Sequence, residues 1–486
     1  MDRRIVATQA GRVSGVSADG VSRWLGIPYA QAGRFAAPVA VPAWEGARDA
    51  SSMGPQCPQM YGNSAKRARL SPPDFDENCL TLNIYVPEGR PDGERLPVYV
   101  WIHGGAFVAG SGNPYDGSGI ARDGGIIVVT INYRLGVLGF VNFGAVLDDP
   151  SIPSNLGLRD QIAALQWVQH NIAAFGGDPS RVTIGGQSAG SMSVSLLLHA
   201  PDARGLFQQA IMQSGAVSLV HGRSRSEAIA RDYVAALGLG KVGSPDVRSL
   251  PLSHLFEAQA AVGAANPGTV PAAPWLDGDL VPGSLEALHK AQAAPVPLLA
   301  GATGLEIRLF ELMPGEILPT SWSALEALLE RQLGAVAMQK IVAAYPRTAA
   351  GRRALASDVA FAMPTRHFAD RHATHSPTWF YRFDYAHPIA GATHGLDLTL
   401  TWPMRGLRAA LARGGPMSGR RAALGRRMTD HIAHFVRHGA PADGWPCYEA
   451  TGGQTMVFNL EDRITSCPDA ERWRAWRGRD VGVALA

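Results

Sequence analysis

Residue types and spacing first suggest chemistry at Gly186-Gln187-Ser188-Ala189-Gly190. A serine with a glycine two residues away on each side suits a sharp turn from a strand into a helix. The small neighbours let the backbone close up, and the turn projects the hydroxyl out of the sheet. The helix that follows aims the positive end of its dipole at that hydroxyl, which favours negative charge there. Such a serine attacks acyl carbon. A tight turn with an incidental serine is the plainer alternative, and the flanking strand and helix argue against it. A second run, His103-Gly104-Gly105-Ala106-Phe107, follows an apolar segment ending at Ile102. A glycine-rich loop in that place presents backbone N–H groups to a developing oxyanion. As a plain connection, its glycines would only turn the chain.

A nucleophilic serine needs a base and a group to orient it. The chain has 14 histidines. His387, His394, His431, His434 and His438 all compete, and the residues alone leave the choice open. Three of them fall in a C-terminal helical stretch, where a solvated face explains them. His394 instead sits in a glycine-containing loop after a strand that starts near Trp379. For the acid, Glu306 follows an apolar strand through a glycine-containing turn. Glu311 and Asp397 are the alternatives.

The elements that must position these groups alternate. Arg12 to Ser17, Ser22 to Ile27 and Leu80 to Val86 read as strands. Leu96 to Ile102 and Ile126 to Asn132 are near-continuous apolar runs, as in strands buried on both faces of a parallel sheet. Leu156 to Ala174 has helical spacing and stops at Phe175-Gly176-Gly177-Asp178-Pro179. A strand from Arg181 to Ile184 and a helix from Ser191 to His199 bracket Ser188. An Ala-rich helical region spans Val220 to Asn266. Later strands are Leu298 to Ala302 and Trp379 to Tyr385. This alternation implies an α/β fold with a parallel sheet. It reads as one domain over residues 1–486, with helical insertions around 220–295 and 310–375 roofing the active site.

Composition sets the class. Of 486 residues, 46% are hydrophobic and 17% charged, enough to bury a large core. A net charge of +3 argues against a dedicated nucleic-acid binder. The segment from Leu398 to Thr429 holds seven arginines and no acidic residue, which reads as a solvated helical face. The N-terminus has basic residues with no apolar stretch after them, and no run is long enough to span a membrane. Read as it stands, the chain is expected to be cytoplasmic, with no stable membrane anchor. The four cysteines form no C-x-x-C pair, which excludes the common zinc and thioredoxin-type motifs.

Further motifs carry a resemblance along nearly the whole length. They include Gly26-Ile27-Pro28-Tyr29-Ala30, Glu77-Asn78-Cys79-Leu80, Asn132-Tyr133-Arg134-Leu135-Gly136, Asn155-Leu156-Gly157-Leu158-Arg159-Asp160-Gln161, Gln213-Ser214-Gly215 and Gly444-Trp445-Pro446. With the two loops above, this order resembles the type B carboxylesterases of the α/β-hydrolase superfamily. Bacterial para-nitrobenzyl esterases and, more distantly, cholinesterases are among them. The resemblance implies an α/β-hydrolase fold: a central, mostly parallel twisted sheet flanked by helices. It implies a serine carboxylic-ester hydrolase with Ser188 as nucleophile, His394 as base, Glu306 as acid, and Gly105, Ala106 and Ala189 as the oxyanion hole. A small-molecule ester is then the partner, and no cofactor or metal is required. Amide or carbamate cleavage on the same triad is the alternative. A non-catalytic binding member is a further one, although such members typically lack the serine or histidine. The resemblance also makes Arg34–Glu77 and Arg134–Asp160 structural ion pairs and Ser214 a hydrogen-bonding support. It puts Cys57 and Cys79 close in space, where the family often has a disulfide. One departure is local: the family usually has a glycine after the acid and a polar or acidic residue before it, where this chain has Ile307 and Leu305.

Overall fold

The computed structural model describes residues 2–60, 68–69, 74–89, 91, 93–313, 317–402, 411, 413–450 and 453–481. Its main sheet contains β1 (Asp2–Ala7), β2 (Arg12–Ala18), β3 (Val21–Pro28), β4 (Thr81–Pro87), β5 (Leu96–Ile102) and β6 (Ile127–Ile131). It continues with β7 (Gly177–Gln187), β8 (Gln209–Gln213), β9 (Leu298–Thr303), β10 (Thr378–Phe383), β11 (Gln454–Phe458) and β12 (Arg463–Ser466). The spatial order is β1-β2-β3-β4-β6-β5-β7-β8-β9-β10-β11-β12, and a short strand, Ala47–Asp49, pairs with β2. From β6 to β11 every neighbouring pair is parallel. The pairs on either flank are antiparallel.

Alternation along the strands divides the core into two apolar layers. On β5, Val98, Val100 and Ile102 join one layer, while Tyr99 and Trp101 join the other. The first layer is covered by α1 (Leu156–Asn171) and α2 (Ala189–Leu197). Among its members are Leu158, Ile162, Leu165 and Val168 of α1. Helices α3 (Arg223–Ala236) and α4 (Leu252–Ala265) extend it. The second layer is covered by α5 (Gly419–His438), whose Leu424, Met428, Ile432 and Phe435 form one apolar stripe.

Chain order and spatial order diverge at β5. Its connection leads to β6 on one side, while β7 lies on the other. Such a switch point opens a crevice at the carboxyl ends of the strands. The loop from His103 leaves β5 there, and Ser188 follows β7.

Several expectations need correcting. The strand before Ser188 is not confined to Arg181–Ile184: it starts at Gly177, inside the segment read as a helix stop, and runs to Gln187. Gly185 and Gly186 stay in the ladder because β5 and β8 pair with them on both sides. The helix read as Leu156 to Ala174 ends at Asn171 and passes into a 3₁₀ turn, Ile172–Phe175. Strands β1, β8, β11 and β12 add to the strands expected from the sequence. In the arginine-rich segment, Arg405 and Arg408 lie outside the described residues. Within α5, Arg427 pairs with Asp462, Arg420 with Glu461, and Arg421 donates to the Tyr385 hydroxyl, so ion pairs lace this face. Arg413 is buried.

The two expected ion pairs are present. Arg134 donates to both carboxylate oxygens of Asp160, at 2.8 and 2.7 Å, and both side chains are buried. Arg34 pairs with Glu77 and also donates to the Arg248 carbonyl. Asp277 fixes its turn by accepting the Asp279 and Val281 N–H groups. Cys57 and Cys79 are buried free thiols, and the hydrogen bond between them pushes the Cys79 thiol up.

Candidate active site

Ser188 sits between β7 and α2 with φ 58° and ψ −125°, a backbone conformation that L-residues rarely adopt. The surrounding ladder holds it there. Ser188 N–H donates to the Gln213 carbonyl on β8, and the Ser188 carbonyl accepts from Met192 in α2. The glycines of the pentapeptide are steric requirements. A Cβ at Gly190 would lie 2.0 Å from the Ile102 carbonyl oxygen, and one at Gly186 would lie 2.4 Å from the Gly190 carbonyl carbon. Strand and helix cross where only bare backbone fits.

The loop after β5 packs against this turn. A Cβ at Gly104 would meet the Gln187 carbonyl oxygen at 2.7 Å and Ser188 Cβ at 3.1 Å. Gly105 has φ 122°, and a Cβ there would overlap the Ala109 carbonyl oxygen at 1.9 Å. Ala106 and Phe107 are also left-handed, at φ 53° and 62°. His103 belongs to the scaffold: it stacks on Tyr133 at 4.4 Å and contacts the Gly104 carbonyl at 2.8 Å. Burial pushes its imidazole down to about 4. Gln59 closes the far end of the loop, accepting the Gly110 N–H at 2.8 Å and donating to the Gly110 carbonyl at 2.9 Å.

Across the crevice, Glu306 follows β9 and His394 follows β10. Glu306 is fully buried. Its Oε1 accepts the Thr303 N–H at 2.6 Å, and its Oε2 lies 2.5 Å from His394 Nδ1. The two loops are tied by Leu305 N–H donating to the Ala392 carbonyl, and by Gly304 N–H donating to that of Phe383. The imidazole packs against Phe361 at 4.3 Å and Phe310 at 5.2 Å. Phe361 lies in a π-helical segment, Asp358–Ala362. His394 Nε2 lies 3.0 Å from the side-chain amide nitrogen of Gln187.

The other candidate groups have partners of their own. His387 Nδ1 accepts from the Ile389 and Ala390 N–H groups, and its Nε2 contacts the Leu411 carbonyl. His431 packs on Trp445 and Phe458, so it is not on a solvated face. His434 contacts the Ala440 carbonyl and packs against His438 with the rings tilted. Glu311 is held by Arg308, Arg352 and Arg353. Asp397 accepts from Leu398 N–H, Gln213 and the Tyr381 hydroxyl. Burial, with the Glu306 charge beside it, pushes its carboxyl up to about 6. Ser214 is fully buried at φ 53°, and among the described residues its hydroxyl has no hydrogen-bond partner. The backbone contributes instead: Ser214 N–H donates to the Gly301 carbonyl.

Ser188, His394, Gly105 and Ala106 all line one cavity of about 700 Å³. Ala189 is buried at the first turn of α2 beside it. The cavity walls are largely apolar, including Leu219, Val270, Phe310 and Leu396. Among the described residues, no three His, Cys, Asp or Glu side chains are grouped so as to hold a metal ion.

A carboxylesterase family model matches residues 2–476. The chain belongs to the carboxylesterase family. It is 34% identical to the para-nitrobenzyl esterase of Bacillus subtilis over 97% of this chain and 98% of that one. It is 32% identical to a cocaine esterase of Oryctolagus cuniculus, covering 94% of this chain and 91% of the relative. A phenmedipham hydrolase of Pseudarthrobacter oxydans matches at 32% over 94% and 96%. A solved PNB esterase superimposes with a TM-score of 0.88 at 34% identity, covering 98% of this chain and 99% of that one. The fold is therefore the α/β-hydrolase fold, and the activity is carboxylic ester hydrolysis. No helix among the described residues is long and apolar enough to cross a membrane.

Some neighbours of these groups gave no signal in the sequence. Gln187 holds a variable position of its motif, yet it reaches His394. Phe361 and Phe310 look like ordinary core residues, and only the fold brings them to the imidazole. Gln59 lies far from any motif.

Proposed function

We propose that this carboxylesterase works through a Ser188–His394–Glu306 triad and a covalent acyl-enzyme. The observation that carries the reading is the 2.5 Å contact between His394 Nδ1 and buried Glu306, made at the wall of the cavity that Ser188 also lines. With Nδ1–H donated to the carboxylate, Nε2 is a lone pair and can take a proton. The Gln187 amide lies 3.0 Å from that nitrogen, within reach of its lone pair. Catalytic hydrogen bonds often tighten only in the complex, so in this reading the Ser188 hydroxyl replaces the amide when substrate binds.

Ser188 Oγ then bonds to the carbonyl carbon as its proton passes to His394 Nε2. The carbonyl electron pair moves onto oxygen, where the N–H groups of Gly105, Ala106 and Ala189 receive it. Collapse of the intermediate breaks the bond to the alcohol oxygen, which takes the proton from His394. Water repeats the sequence on the acyl-enzyme and releases the acid. Glu306 keeps the imidazole in the productive tautomer and stabilises the imidazolium. The substrate is a small-molecule ester entering the apolar cavity.

Matched substrates test the bond class. A chromogenic ester and the amide of the same acid should differ sharply, with the ester hydrolysed and the amide turned over little. Comparable kcat/KM on both would make amide cleavage the better description.

A further inference from the structure

The glycines around Ser188 are demanded by backbone that a Cβ would strike. One glycine on the cavity wall is not. Gly263 lies inside α4 and lines the cavity. A Cβ built on it would meet only Pro271, at 3.7 and 3.8 Å, which is ordinary van der Waals contact. Its φ lies outside the positive range that favours glycine. Glycine is the weakest helix former after proline. Local structure therefore gives no reason for this residue, and the helix would be firmer with alanine.

What the missing side chain provides is space. Gln259, Ala260 and Gly263 share one face of α4 and all line the cavity. Gln259 fixes that face in place. Its Oε1 accepts the Val137 N–H at 2.8 Å, and its amide contacts Met60 Sδ at 3.6 Å. The small residues Ala260 and Gly263 then pare back a wall that Gln259 anchors to Val137. Among the described lining residues none is Asp, Glu, Lys or Arg.

We propose that Gly263 is a specificity-determining residue, whose missing side chain admits esters carrying a bulky, uncharged, apolar group. This rests on the reading that the cavity beside Ser188 is the substrate site. In shape terms, the room between α4 and Pro271 is part of the substrate pocket. A Cβ there would narrow it without touching Ser188, Glu306 or His394.

The test compares wild type with Gly263→Ala and Gly263→Leu on two substrate series. The acyl group is varied with 4-nitrophenyl acetate against 4-nitrophenyl decanoate. The alcohol is varied with methyl butyrate against menthyl butyrate. In at least one series the bulky-to-small ratio of kcat/KM should fall about threefold in Gly263→Ala and more than tenfold in Gly263→Leu, the scale of a changed apolar contact. The melting temperature of Gly263→Ala should equal or exceed that of wild type. Unchanged ratios in both series, or a lower melting temperature for Gly263→Ala, would overturn the proposal. Hydrolysis of 4-nitrophenyl acetate by Ser188→Ala separates the two claims. If it persists, the catalytic reading fails whatever the ratios do.

Discussion

The two walls of the crevice are built on different principles. On the Ser188 wall, backbone packs on backbone: α2 crosses β5 and β7 so closely that Gly186 and Gly190 have no room for a Cβ, Gly104 is closed in by Gln187, and Gly105 by the Ala109 carbonyl of its own loop. On the His394 wall, side chains hold side chains. Glu306, Phe361 and Phe310 fix one imidazole, and the loops that carry Glu306 and His394 touch through a few hydrogen bonds. In the proposed mechanism the first wall fixes where a charge can form, and its packing allows almost no change in sequence. The second would set which way a proton moves, and its parts can be exchanged one at a time. Mutations should therefore separate the walls: the glycines of the Ser188 wall should fail by losing the fold, the side chains of the His394 wall by losing rate.

The largest expected effect is on the second wall. Glu306→Gln should fold and lower kcat by a factor on the order of 10⁴, because an amide facing His394 Nδ1 favours the wrong tautomer. Asp397→Asn, beside it, should cost less than about tenfold. Steady-state kinetics of both variants decide this, and the reverse ranking would transfer the role of acid to Asp397.

Next comes the first wall. In Gly190→Ala the new methyl would press on the Ile102 carbonyl, which β5 cannot move aside. A loss of about 3 kcal/mol or more is expected, the size of a severe steric insertion. Urea unfolding measures it. A variant that folds as well as wild type would mean that the crossing is looser than this packing implies.

A smaller effect sharpens the contrast, since pH should pull the two walls in opposite directions. His103 has its pKa lowered by burial to about 4, while the unfolded chain titrates near the ordinary 6.5. Its contribution to stability is present above about 6.5 and is lost as pH falls toward 4. At pH 5 that loss amounts to about 2 kcal/mol. Asp397 is raised to about 6, so its contribution is present below the ordinary carboxylate value and is lost as pH rises through 6. The drop in stability between pH 7 and pH 5 should therefore be smaller in His103→Gln by about 2 kcal/mol, as read from urea midpoints at the two pH values. An unchanged drop would show that His103 is not kept neutral by the fold.

This contrast also explains what the sequence could convey. A wall made of backbone crossings leaves glycines at fixed spacing, so Gly186 to Gly190 and Gly104 to Gly105 could be read directly, and with them the strand-turn-helix context. A wall made of side-chain contacts leaves no such record. Nothing in the residues alone separates His394 from His387, and only the fold shows His387 with both ring nitrogens against backbone groups. Phe361 gives no local sign because a π-helical turn, rather than a motif, delivers it. Strand β8 escaped notice because its five residues, Gln209–Gln213, begin and end with glutamine. They form a strand because β7 and β9 pair with them on both sides. The long apolar runs of β5 and β6 were legible because burial on both faces permits little else.

The central claim is that Ser188 is the nucleophile. A fluorophosphonate reacts with an activated serine and adds a fixed mass, so intact-protein and peptide mass spectrometry test the claim directly. One adduct per chain is expected, located on Ser188, forming in step with the loss of ester hydrolysis and absent from Ser188→Ala. An adduct on another serine, or ester hydrolysis retained by Ser188→Ala, would contradict it.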